Sequence, residues 1–146
     1  MPHLLRNVIA VVIGFVVGSA VNLALVTLGP SLIPPPAGVD VTSAEGLAAA
    51  IHLFEPRHFV MPFLAHAVGT FAGALGAYLV ASSPKAKLGY AIGVIFLCGG
   101  VAASFMIPAP AWFIAIDLLA AYLPMAWLAS RIGARLQAGK AAPATP

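Results

Sequence analysis

Residues 7–28 read NVIAVVIGFVVGSAVNLALVTL, a run in which no side chain carries a formal charge. A helix needs about 20 predominantly apolar residues to cross the hydrocarbon core of a bilayer, so this run predicts a transmembrane helix. Three further stretches meet the same requirement, at residues 58–81, 88–107 and 110–130. Because the last two connections are short, neighbouring helices are expected to be antiparallel. We therefore predict an all-α membrane protein, a four-helix antiparallel bundle over residues 1–136, followed by a disordered tail of small residues over 137–146.

The composition of the chain supports the same class. Of the 146 residues, 62% are hydrophobic and 8% are charged, against about 25% charged in soluble domains. A soluble domain of this size buries only about 70% of its surface, which is too little to hide so many apolar side chains. A soluble enzyme and a disordered chain are thereby excluded. The single cysteine, Cys98, excludes an internal disulfide framework.

The placement of basic residues predicts the orientation. Six of the seven lie on one side of the predicted spans, and only Arg57 lies on the other: Arg6, Lys85, Lys87, Arg131, Arg135 and Lys140. Because basic residues are enriched in cytoplasmic segments, we expect both termini in the cytoplasm and residues 29–57 on the outer side of a bacterial inner membrane. The basic residues form no continuous stripe, so no nucleic-acid partner is indicated.

The outer segment 29–57 is predicted to hold a short surface helix over residues 43–54. Thr42 and Glu45 have the spacing of a capping box, which marks the start of a helix. Apolar residues then recur along one face, at Leu47, Ile51 and Phe54. We expect this helix to cover the outer end of the bundle.

Three strongly polar side chains occur at similar depth inside three different predicted spans. His66 lies eight residues inside the second span, Asp117 seven inside the fourth, and Asn22 six before the end of the first. At 1.5 Å per residue, His66 and Asp117 are about 10–12 Å below the outer surface. Thr70 follows His66 by one helical turn. Because a charge inside a bilayer is rarely kept without a partner, we expect His66 to pair with Asp117.

The polar layer permits three interpretations. It could bind or permeate a proton, an ion or a small ligand, which suits histidine because imidazole ordinarily titrates near pH 6.5. It could instead fix helix packing in a structural or assembly subunit. As a third interpretation, His66 and Asp117 could be the acid and base of an intramembrane enzyme, although no nucleophile motif accompanies them. No cofactor is indicated, and the expected partners are lipid and either further copies or another membrane subunit.

A second polar cluster is expected at the outer mouth of the bundle, formed by His52, Glu55, Arg57 and His58. Nitrogen and carboxylate ligands suit zinc or a similar divalent ion, so His52, Glu55 and His58 are weak candidates for metal ligands. The alternative is the start of a helix, with Glu55 as its cap and Pro56 at its first position. We favour that alternative.

Motifs in the second and fourth spans carry a resemblance to other proteins. They are HLFEPRHF (52–59), PFLAHA (62–67) and Gly69-Thr70, together with Asp117-Leu118, Tyr122, Pro124 and Trp127. With these motifs the chain resembles a group of small bacterial four-helix membrane proteins. The resemblance implies the architecture and an inner-membrane location, but no activity. Small multidrug exporters have the same number of spans but carry a glutamate in the first, where this chain has none.

Overall fold

The computed structural model describes residues 2–141, and that part of the chain contains helices and loops but no β-strand. The α-helices are α1 (His3–Leu32), α2 (Ala44–Ala50), α3 (Val60–Val80), α4 (Lys85–Met106), α5 (Ala111–Ala120) and α6 (Leu123–Ala141). Two short 3₁₀ helices, Ile51–Leu53 and Pro56–Phe59, connect α2 to α3. Four helical segments are long and apolar enough to cross a membrane, as expected for a multi-pass membrane protein: His3–Leu32, Pro56–Val80, Lys85–Met106 and Ala111–Gly139.

Two helix ends differ from the sequence-based expectation. The first helix continues past Gly29-Pro30 to Leu32, with Pro30 inside it. The segment 137–141, expected to be disordered, continues α6. Alanine favours helix, and Lys85 Nζ donates a hydrogen bond of 2.6 Å to Gln137 Oε1. The rest of the predicted tail lies outside the described residues.

The fourth apolar stretch is not one helix but two. Helix α5 ends at Ala120, and α6 begins at Leu123 with Pro124 as its second residue. A proline ring clashes with the carbonyl group four residues earlier, which here belongs to Ala120. The chain therefore bends at Ala121 and Tyr122, and this bend shapes the site described below.

The outer segment contains the expected helix in a modified form. Helix α2 covers Ala44–Ala50, and the chain then tightens into the 3₁₀ helix Ile51–Leu53. Its N-cap is Ser43, whose hydroxyl accepts a hydrogen bond of 3.0 Å from the Gly46 N–H. Thr42, the residue expected to cap, instead donates to the Asp40 carboxylate through both its N–H and its hydroxyl group. The expected capping box with Glu45 is therefore wrong.

The core lies where small residues bring helices into backbone contact. A Cβ atom built on Gly73 of α3 would lie 2.6 Å from the Gly14 carbonyl oxygen of α1, and one built on Gly69 would lie 2.9 Å from that of Gly18. Next to these glycines, α3, α4 and α6 pack through a buried cluster of Ala74, Ala77, Ile92, Ala126 and Ala129. Close approach of small residues is the usual way in which membrane helices associate. We call the region of Gly14, Gly73 and this cluster the closed half.

Candidate functional site

A buried hydrogen-bonded pair joins α3 to α5. The His66 Nδ1 atom lies 2.9 Å from Asp117 Oδ1 and 3.0 Å from Asp117 Oδ2. Asp117 is only 5% exposed, whereas the His66 side chain keeps 26% of its surface exposed. The imidazole is thus held at one edge by the carboxylate and is accessible elsewhere. The structure places the two side chains in contact, as their equal depth had led us to expect.

Tyr122 is a third member of this cluster. Its hydroxyl donates a hydrogen bond of 3.0 Å to Asp117 Oδ2, and its ring stacks on the His66 ring with centroids 5.8 Å apart. Gly100 makes room for it, since a Cβ atom there would collide with the Tyr122 hydroxyl group. Sequence reasoning missed this role, because residues five apart on a continuous helix do not face the same way. The break before Pro124 brings Tyr122 to Asp117, and Pro124 was the signal that could have shown it.

The contacts determine the hydrogen-bonding character of the imidazole. An ionised carboxylate can only accept hydrogen bonds, so opposite an ionised Asp117 the Nδ1 atom of His66 carries the proton. In the neutral imidazole, Nε2 is then an acceptor, and in the cationic form it is a donor. None of the described residues forms a hydrogen bond with Nε2. We call the Nε2 side of the ring the free edge of His66. This edge can exchange a proton or accept a hydrogen bond from a ligand.

This free edge lines a cavity of about 240 Å³, which we call the polar chamber. Its wall consists of Asn22, His66, Thr70, Phe96, Gly99, Gly100, Ala103 and Tyr122. Asn22 Oδ1 and Thr70 Oγ1 are buried and have no hydrogen-bond partner among the described residues. Buried polar atoms nearly always have a partner. The orphaned atoms of Asn22 and Thr70 therefore mark this chamber as a place that something polar occupies.

A second cavity of about 230 Å³, the apolar chamber, lies beneath α2. Leu47 and Ile51 form part of its wall, and His66, Gly100 and Ala103 are shared with the polar chamber. The apolar stripe predicted for the outer helix therefore faces this cavity. We call the region that holds both chambers the open half.

Three of the four residues expected at the outer mouth, Glu55, Arg57 and His58, form the start of a 3₁₀ helix. Glu55 is the N-cap of the 3₁₀ helix Pro56–Phe59, and its N–H donates a hydrogen bond of 2.8 Å to His58 Nδ1. Arg57 Nε lies 3.0 Å from Glu55 Oε2 at an exposed position, and His52 is exposed. Over residues 2–141, no three His, Cys, Asp or Glu side chains form a group that could hold a metal ion. The metal-site hypothesis therefore finds no geometric support among these residues.

Comparisons with protein-family models, with curated proteins and with solved structures find no match to this chain. Arguments about its function therefore rest on the geometry of the site alone.

Proposed function

We propose that the chain is a membrane protein that binds a proton and a small ligand at an intramembrane polar site. In this proposal His66 is the proton-exchanging group, Asp117 and Tyr122 hold its ring, and Asn22 and Thr70 face the ligand. The observation that carries the proposal is the pair of orphaned buried atoms in the same chamber as the free edge of His66. A layer that served only packing would satisfy its polar groups within the protein.

The proposal includes an antiparallel arrangement of the four spans in a bacterial inner membrane. The pairing of Gly14 with Gly73 and of Gly18 with Gly69 supports opposite directions for α1 and α3. Contacts of Asn7 with Ser82 and Ser83 support the same arrangement. Lipid, further copies or another membrane subunit would cover the apolar side chains that remain exposed, such as Phe105.

The orientation can be tested directly. Because basic residues are concentrated at the end of the bundle where α1 begins and α6 ends, we expect both termini in the cytoplasm. A fluorescent protein that matures only in the cytoplasm should fluoresce when it is fused after Pro146. Alkaline phosphatase fused at the same position should be inactive. Active phosphatase at that position would contradict the expected orientation.

Proton exchange at His66 can be followed by ¹⁵N NMR of histidine-labelled protein in lipid nanodiscs. Asp117 is hydrogen-bonded to His66 and Tyr122 is stacked on it. His58 is a further titratable group in the wall of the apolar chamber, and neither α1 nor α4 adds one to the wall of the polar chamber. If His66 is the proton-exchanging group, its imidazole signals should change with pH, because proton exchange interconverts the neutral and the cationic ring. Asp117→Asn should alter that dependence, since an amide cannot titrate.

The matched control is Glu45→Gln, the same kind of change at an exposed carboxylate outside both chambers. It should leave the His66 signals as in the original protein. His66 signals that do not change with pH would overturn the proton-exchanging role. They would favour the alternative, a layer that only fixes helix packing.

A further inference from the structure

The two chambers of the open half adjoin at His66, Gly100 and Ala103, which line both. One chamber carries the orphaned polar atoms, and the wall of the other is mostly apolar. The polar members of that second wall are His58, His66, Ser104 and Asp117. Each is larger than the apolar cavity of about 150 Å³ that is known to bind benzene. A ligand that fills both must therefore be polar at one end and apolar at the other.

The polar chamber offers mostly acceptors. Asn22 Oδ1 can only accept, and Nε2 of a neutral His66 is also an acceptor. The Thr70 hydroxyl can donate or accept, and Thr70 is 1% exposed without a partner. A group that donates one hydrogen bond to Asn22 Oδ1 and accepts one from the Thr70 hydroxyl satisfies both orphaned atoms; His66 Nε2 is an alternative acceptor. A hydroxyl group can donate and accept in this way.

The charges around the polar chamber argue against a charged head group on the ligand. No lysine or arginine lines it, so beside a neutral His66 an anionic head would be desolvated without compensation. A cationic head would also lack a direct partner. The Asp117 carboxylate already accepts hydrogen bonds from His66 and Tyr122, and it lines the apolar chamber rather than the polar one. A neutral head is therefore favoured.

We propose that the open half binds an amphiphile with a neutral hydroxyl head and one apolar chain. The head lies among Asn22, His66 and Thr70, and the chain extends into the apolar chamber under α2. This inference rests on the proposed function, since it names the ligand class of the same site.

The test uses photolabelling of the full-length protein in nanodiscs with a decanol analogue that carries a diazirine in its chain. We expect labelled peptides from the apolar chamber, around residues 107–118, because the chain of the bound probe reaches there. Excess decanol should compete for the labelling. Decane, decanoate and decylamine should compete poorly, since they share the chain but not the neutral hydroxyl head.

Thr70→Val tests the polar end, because it removes the hydroxyl without changing the shape of the side chain. Labelling affinity should fall about threefold to tenfold, the range expected for one lost hydrogen bond. Thr27→Val is the matched control on an exposed residue that lines neither chamber. It should bind the probe as the original protein does.

Three outcomes would overturn the inference: no labelling of the chamber, competition by decane or decylamine as strong as by decanol, or equal affinity in the two valine variants. The pH dependence of the His66 NMR signals is a separate measurement. If it is present while the labelling fails, the proposed function stands and only the ligand class is wrong. If it is absent while labelling behaves as expected, the ligand class stands and the proton-exchanging role is wrong.

Discussion

The closed half and the open half are built from the same helices but differ in how their glycines are used. On α4, a Cβ atom built on Gly93 would lie 2.7 Å from the Ala126 Cβ atom, whereas one built on Gly99 would meet nothing within 4 Å. Both residues belong to glycine-rich stretches of the same span. In the closed half Gly93 lets a neighbouring helix approach, whereas in the open half Gly99 leaves space. A glycine pattern in a membrane span therefore does not by itself identify a packing face.

The largest effect on stability is expected from replacing one glycine in each half by alanine. Gly73→Ala would place its Cβ atom 2.6 Å from the Gly14 carbonyl oxygen, which cannot move without moving α1. Overpacking of this kind costs about 1–3 kcal/mol, so the melting temperature in detergent should fall. Gly99→Ala is the matched control and should be neutral or stabilising, since it adds a methyl group in open space.

Equal melting temperatures for these two alanine variants would contradict the distinction between the halves. A loss of stability confined to Gly99→Ala would reverse it.

The contact of His66 with Asp117 could be expected from the sequence, because depth in a membrane span can be counted in residues. Each helix rises by 1.5 Å per residue, so similar offsets from the outer ends put the two side chains in one layer. A buried carboxylate then needs a partner, and His66 was the titratable residue at that level. The same count placed Asn22 beside the pair, and Thr70 followed from its position one turn after His66.

The features that could not be predicted from the sequence depend on breaks in helices and on empty space between them. Tyr122 reaches Asp117 because α5 ends at Ala120, and a continuous helix would have turned its ring away. The two chambers depend on where side chains fail to meet, and hydrophobic patterns contain no information about such gaps. The end of α1 was missed because one proline does not always stop a helix.

The second prediction concerns the pair of His66 and Asp117, which lies in the open half. His66→Ala or Asp117→Ala alone leaves a buried polar group without its partner, which costs about 1–3 kcal/mol. Asp117→Ala should cost more, since Tyr122 also loses its acceptor. The double variant should be less damaged than the sum of the single variants, because contacting residues couple by about 0.5–3 kcal/mol.

Thermal melts of the two single variants and the double variant measure this coupling. The control pairs Asp117→Ala with Asn7→Ala. Asn7 lies near the start of α1, where its side chain forms hydrogen bonds with Ser82 and Ser83. Distant sites should add within about 0.5 kcal/mol. Additive losses for His66 and Asp117 would mean that their contact contributes nothing to stability.

The smallest effect is expected at α2, the helix that covers the open half. Asp40 accepts hydrogen bonds from the Thr42 hydroxyl and N–H and from the Ser43 hydroxyl, and these lower the pKa of Asp40 below its ordinary value of 3.8. A lowered pKa means that the folded chain favours the ionised carboxylate. The stabilisation is therefore fully present above pH 3.8 and is lost as the pH falls through the lower folded value.

We expect α2 to loosen in this acid range, whereas the closed half, which has no comparable carboxylate in its core cluster, should not respond. Spin labels at Ala49→Cys on α2 and Ala134→Cys on α6, both exposed positions, can report this in a Cys98→Ala background. The label on α2 should become more mobile below pH 3.8, and the label on α6 should not. Asp40→Asn keeps an acceptor oxygen but cannot titrate, so the response of α2 should disappear. A response that persists in this variant would assign the effect to another carboxylate, such as Glu45 in the first turn of α2.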